Sequence, residues 1–156
     1  METIYTHWKE MLINMIDEKT ATYNQELHKK AETDYLKRLL EKMATHAASP
    51  ETLVTFQEEM NVLVEAIPTV AGFKDKEIRR DFIKKKSKLK NTVITKHKLV
   101  NKGYYVSIWM PLGIALGMPW GVVFGNIALG LPIGLAVGLA IGSSLDAKAK
   151  KEGRVV

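Results

Sequence analysis

The chain has 156 residues, a formal charge of +6 and no cysteine. That length suits one domain of ordinary size, and the absence of thiols excludes disulfides, thiolate catalysis and Cys-based zinc sites. Mean hydropathy near zero hides a division between a very polar N-terminal part and a very apolar C-terminal part, with basic residues gathered from Lys74 to Lys102 and again after Asp146.

The opening stretch METIYTHWKEMLINMIDEK lacks a basic start followed by an apolar run, so no signal peptide is read and the first hundred residues are expected to stay on the side of synthesis. Residues 3–46 are predicted helical. Ile4, Trp8, Met11, Leu12, Met15 and Ile16 make one apolar stripe, and Leu36, Leu39, Leu40 and Met43 another, each at i, i+3, i+4 spacing. Between them Glu18 to Asp34 is polar, with Tyr23, Leu27 and Ala31 for burial, and it admits a break near Thr20–Thr22. Ser49-Pro50 is a restart signal, serine capping and proline in the first turn. The next helix, roughly 50–67, carries Leu53, Phe56, Met60, Leu63, Val64 and Ile67 before Pro68 ends it and Gly72 marks a linker.

A third element covers 74–100. Ile78, Phe82, Leu89, Val93 and Val100 are spaced four, seven, four, seven, an apolar seam on a helix crowded with Lys and Arg. Asp75/Arg79 and Asp81/Lys85 sit at i, i+4 and support a helix slightly, whereas the β-branched run Thr92–Thr95 weakens it. The cluster Lys84, Lys85, Lys86, Lys88 and Lys90 lies close to the apolar segment that follows, where anionic headgroups attract each lysine by ~1 kcal/mol. Anionic lipid is the expected contact, and nucleic acid is disfavoured.

From Gly103 to Leu145 there is no charge. One straight helix through that stretch would be roughly 60 Å long, twice the hydrocarbon core. Two passes fit, with Gly125-Asn126 as the turn because both residues tolerate positive φ. The expectation is a hairpin of helices 104–124 and 127–145. Both flanks are basic, which places both ends in the cytoplasm, and Tyr104, Tyr105 and Trp109 suit the headgroup level. The pattern Pro-x-Gly-apolar₃-Gly recurs at 111–117, 119–125 and 132–138. Pro119 should kink the first helix. If Pro111 and Pro132 start the helices instead, each is roughly 21 Å long and suits a re-entrant hairpin; spanning is the preferred reading.

Gly113, Gly117, Gly121 and Gly125, then Gly130, Gly134, Gly138 and Gly142, fall on a four-residue beat. They give each helix a face without side chains. Burying leucine does not drive association in a bilayer, but close backbone approach does, so these eight glycines are the expected helix-packing residues. The second helix has another small face at Ala128, Ala136, Ala140 and Ser144, with Pro132 in line. It is expected either to meet a neighbouring copy or to face lipid or the soluble domain.

This register with its interleaved prolines, through GIALGMPWGVVFG and GLPIGLAVGLAIG, resembles the bacterial glycine-zipper family proteins over about a third of the chain. The resemblance implies membrane association and self-assembly and brings no catalytic residue. The first hundred residues resemble no family.

The fold class expected is all-α: a cytosolic helical domain of about three helices over 1–102, a glycine-zipper transmembrane or re-entrant hairpin over 103–145, and a basic cytosolic tail over 146–156. His7, His28, His46 and His97 are scattered, match no metal-binding spacing, and are expected to be surface or satisfied helix histidines. Phosphate loops and nucleophile elbows are absent from the sequence. No enzyme and no cofactor is expected. The reading is a self-associating membrane scaffold or adaptor in the bacterial inner membrane, with the bilayer, further copies of itself and an unidentified cytosolic protein as partners. The alternative is an oligomeric pore, against which the segment offers only Ser107, Asn126, Ser143 and Ser144 as polar lining.

Overall fold

A computed structural model describes residues 2–46 and 49–156, and among these the chain forms seven helices and no strand. They are α1 (Glu2–Thr20), α2 (Gln25–Ala31), α3 (Thr33–Thr45), α4 (Pro50–Glu65), α5 (Lys76–Lys96), α6 (Tyr104–Val123) and α7 (Ile127–Lys151). The chain divides into two compact units, the first ending at Lys98 and the second running Leu99–Val155. The expected all-α architecture with a C-terminal hairpin is what forms.

In the first unit α1 packs on α3 and α4, and α4 packs on α5. The predicted helix over 3–46 is three helices. The polar middle breaks after Thr20, where Asn24 accepts a hydrogen bond from the Leu27 amide and starts α2. A second break follows at Glu32, whose φ of 59° lies in the left-handed region. Ser49 caps α4, as its sequence signal suggested. Asp75 caps α5 through the Glu77 and Ile78 amides instead of pairing with Arg79, which donates to the Phe73 carbonyl. Asp81 does pair with Lys85.

The core follows the apolar stripes with one rotation. Leu36, Leu39, Leu40 and Met43 of α3 are fully buried, as are Phe56, Met60, Leu63 and Val64 of α4. On α1 the buried line is Tyr5, Leu12 and Ile16; Met11 is 45% exposed, and the side chain of Ile4 lies outside the described residues. Tyr5 was missed because its ring is apolar but its hydroxyl needs a partner, and that partner is the Leu40 carbonyl at 3.1 Å. Trp8 is similarly tied, to Asn61 at 3.0 Å.

The seam on α5 differs from expectation in an informative way. Ile78 is 47% exposed, while Phe82, Leu89 and Val93 are buried. The two gaps of seven in the apolar spacing are filled by Lys86 and His97, 9% and 3% exposed. The continuous line is therefore Phe82, Lys86, Leu89, Val93 and His97. A buried lysine is costly unless paired. Lys86 donates to the Lys30 carbonyl at 2.8 Å, pairs with Glu32 at 3.0 Å and lies over the Phe82 ring. Glu32 also takes Lys90, whose ammonium sits over Tyr35. Burial pushes the Glu32 carboxyl up, but the hydrogen bonds and charges of Lys90 and Lys86 outweigh it and hold the carboxyl below its ordinary range.

Glu32 thus pins α5 to the α2–α3 corner while standing in a backbone conformation that disfavours side chains by about 1–2 kcal/mol. Glu32→Ala leaves Lys86 buried without its counter-charge and should destabilise the unit by about 2–3 kcal/mol, a value below the fully buried range because the pair is partly solvated. Glu32→Gly should be less damaging than Glu32→Ala by about 1 kcal/mol, since glycine accepts the left-handed φ. Hydrogen exchange along α5 measures both; equal loss in the two variants would show that the backbone is unstrained.

The histidines are not all isolated. His46 donates from Nε2 to the His97 carbonyl, 2.9 Å away, and the two rings are 6.3 Å apart. His97 packs edge-on against Phe56 at 5.9 Å, and its Nε2 has no hydrogen-bond partner. Burial lowers its pKa, with the His46 and Lys96 charges adding to the effect and the Thr52 backbone and Glu59 opposing it. Folded protein therefore holds His97 neutral at a pH where the unfolded chain, with a pKa of about 6.5, binds the proton. Its contribution to stability is full above pH ~6.5 and is lost as pH falls toward the folded pKa. Protection of the last turn of α5 should fall on acidification from pH 7.5 to 5.5, and His97→Leu should flatten that dependence; an unchanged profile in the variant would assign the effect to another group.

Candidate functional site

α6 and α7 form an antiparallel hairpin whose contact face has no side chains. Gly113 meets Gly134 and Gly138, Gly117 meets Gly130 and Gly134, and Gly130 meets Gly117 and Gly121. A Cβ built on any of Gly113, Gly117, Gly130 or Gly134 would lie under 3.0 Å from backbone of the opposite helix. Further along, a Cβ on Gly138 would strike the Trp109 carbonyl, and one on Gly142 would stand 2.7 Å from the Val106 Cα. The backbones are as near as they can come, which is the geometry that gives dispersion and Cα–H···O contacts their range.

Gly125 is a correction to the packing set. It lies beyond the end of α6, at φ +67° with open space around it. The Asn126 amide donates to the Gly121 carbonyl at 2.8 Å and the Gly125 amide to the Val122 carbonyl at 3.0 Å. That pair of bonds is the Schellman ending, with glycine in the left-handed position. Asn126 then turns outward as cap of α7, accepting from the Ala128 amide at 3.0 Å. The two residues expected as the turn do form it, and Asn126 is occupied as a cap.

The helices run through their prolines: Pro111 and Pro119 are interior to α6 and Pro132 is interior to α7. The shorter helices beginning at Pro111 and Pro132 are therefore not what forms. α6 has 20 residues, about 30 Å. α7 has 25 and continues through Asp146 to Lys151, so the segment expected as a separate tail is largely helix.

Asp146 stands four residues beyond Gly142, on the same beat. Its carboxylate accepts from the Tyr105 amide at 3.0 Å and the Val106 amide at 3.2 Å. Gly103, at the cap of α6, supplies no side-chain bond, so the carboxylate from the other helix satisfies those amides and faces the positive end of the helix dipole. The chain ends of the hairpin are also joined. Gly153 closes α7 at φ +67°, the Val100 amide donates to the Arg154 carbonyl at 2.9 Å, and Val100 and Val155 form a parallel bridge. In the sequence Asp146 marks the boundary of the apolar run, and its place on the glycine beat is the one signal that it faces α6.

The rest of the hairpin surface is apolar and uncovered. Less than a quarter of the most apolar stretch of α6 or of α7 is buried. A core helix of a soluble protein would be mostly buried. An open groove of about 360 Å³ runs over the glycines between Trp109, Leu116, Trp120, Ile133, Val137 and Ile141. On α7, Ala128, Ala136, Ala140 and Ser144 are all exposed.

Residues 95–148 match the family model described as Glycine zipper membrane protein. The match takes in all of α6, the turn and α7 as far as Lys148, so the likeness carried by the glycines and prolines covers every position of the four-residue beat. No curated protein and no solved structure matches the chain. A glycine-zipper hairpin with two helices long and apolar enough to cross a bilayer makes the C-terminal region that of a membrane protein.

The lysine cluster on α5 is largely engaged elsewhere. Lys86 and Lys90 hold Glu32, Lys85 holds Asp81, and Lys88 lies 3.4 Å from Glu59. Lys84 alone of the five has no ion pair among the described residues. No group of three or more His, Asp or Glu suited to a metal ion occurs among the described residues.

Gly134→Ala forces a methyl into the opposite backbone and should open the hairpin by roughly 1–3 kcal/mol. Gly125→Ala meets no atom and should cost only the left-handed strain, about 1 kcal/mol. Asp146→Ala should fall between them, as loss of a charged double cap. Unfolding in mixed micelles by titrating SDS measures all three; a Gly134→Ala variant as stable as wild type would mean that the glycine contact does not hold the hairpin.

Proposed function

We propose that the protein is a membrane-anchored, self-associating scaffold. In this reading the zipper hairpin spans the bacterial inner membrane with both ends on the cytoplasmic side, and holds the N-terminal helical unit at that surface for a protein partner. The supporting observation is the contrast within the hairpin: an inner face stripped to backbone, and an outer face almost wholly apolar and exposed. Such a surface needs lipid or other copies around it, since water-soluble monomers rarely expose apolar patches beyond a few hundred Å².

Since the glycine face of α7 is occupied by α6, the face at Ala128, Ala136, Ala140 and Ser144 is left for a neighbouring copy. Small residues there let a second hairpin approach closely, as they do elsewhere in membranes. The role is mechanical and not catalytic: binding and clustering, with no reacting group required.

The test is the mass of the protein in mild detergent, by light scattering with detergent subtracted. A discrete oligomer is expected. Ala136→Leu with Ala140→Leu should reduce it towards monomer while the hairpin stays inserted. A monomeric wild type, or a double variant with unchanged mass, would refute self-association through this face. Dye retained by liposomes is expected with the scaffold; rapid release would favour a pore instead.

A further inference from the structure

The charged end of the hairpin has an unbalanced arrangement of ions. The glycine contacts and the Asp146 bonds place the start of α6 and the end of α7 together. At this end there are two acidic side chains. Asp146 is turned inward onto the Tyr105 and Val106 amides. Glu152 is engaged by Arg154, 2.5 Å away. Lys102, Lys148, Lys150 and Lys151 are all exposed, and no ion pair engages them among the described residues. Each local carboxylate already has an intramolecular partner, so the four lysines are left to an external anion.

We infer that Lys102, Lys148, Lys150 and Lys151 form a headgroup site for anionic phospholipid at the charged end of the hairpin. The inference rests on the membrane reading above and adds the lipid class and the residues that select it. Three features favour lipid over another polyanion. The lysines border a rod with no charge between Gly103 and Leu145, so the ligand must be anionic beside an apolar body. At 100° per residue, Lys150 and Lys151 stand about 200° and 300° around the helix from Lys148, which suits a ring of separate headgroups better than one extended ligand. Tyr104 and Tyr105, ring centroids 5.2 Å apart, lie at the same end, and tyrosine favours the level where headgroup meets hydrocarbon. This site replaces the α5 cluster, where four of five lysines are paired within the protein.

The full-length protein is reconstituted in phosphatidylcholine vesicles carrying a minor share of spin-labelled phosphatidylglycerol or spin-labelled phosphatidylcholine. The readout is the fraction of each lipid immobilised by the protein. Wild type should prefer phosphatidylglycerol by at least about tenfold, as several juxtamembrane lysines acting together provide. The variant Lys102→Gln, Lys148→Gln, Lys150→Gln, Lys151→Gln should lose that preference, and Lys84→Gln, Lys85→Gln, Lys88→Gln should keep it. No preference in wild type, or the same preference in the fourfold variant, overturns the site. Flotation with neutral vesicles after a carbonate wash is measured alongside. A protein that floats but does not select lipid refutes the site alone, and one that does not float refutes the membrane reading with it.

Discussion

The close approach of the α6 and α7 backbones is the constraint on which the hairpin depends. At Gly113, Gly117, Gly130, Gly134, Gly138 and Gly142 a Cβ would strike backbone of the other helix, so at these positions the contact is made by the peptide chain itself. In hydrocarbon, larger side chains would add nothing by being hidden, because lipid is as apolar as they are. What removal of the side chains provides is distance, and short-range forces act only at that distance. The same closeness lets a carboxylate on α7 reach amides on α6. A wider hairpin would leave the Asp146 bonds unmade and those first-turn amides without their partner.

The N-terminal unit solves a different problem. It has a conventional core of Leu, Met and Phe, yet one helix of that core is too basic to have an uninterrupted apolar seam. Lys86 takes the missing place and Glu32 neutralises it from a corner whose backbone is held left-handed. Such a pair is a weak source of net stability but a strong source of specificity, because any other register would bury the charge without its partner. His97 occupies the next gap with one nitrogen unpartnered, and its burial favours the neutral ring.

Much of the architecture was legible from spacing. The stripes on α3 and α4, the Ser49 cap, the turn at Gly125-Asn126 and the hairpin itself were all written in period and in local chemistry. These are properties of neighbours along the chain, decided within one or two turns of helix. The misreadings share a cause. Tyr5 and His97 fall outside the apolar stripes and Lys86 reads as a lipid contact, because polar atoms ordinarily face water, and nothing nearby in sequence announces that Leu40, Phe56 or Glu32 will meet them. Gly125 was placed on the packing face by its beat, but a helix that has already ended presents no face.

What the sequence by itself determined is the division into a polar helical part and an uncharged segment long enough for two helices, together with the side-chain-free faces that hairpin packing requires. Periodicity and the length of an apolar run are one-dimensional quantities, and they suffice for that. What only the tertiary structure decided is which charges are already satisfied. Asp146 is a cap and not a boundary marker, Lys86 and Lys90 of α5 serve the fold, and the lysines at the end of the hairpin remain open. An ion pair joins residues distant along the chain at a range of a few ångströms, so its existence is a fact of folding that no local pattern carries.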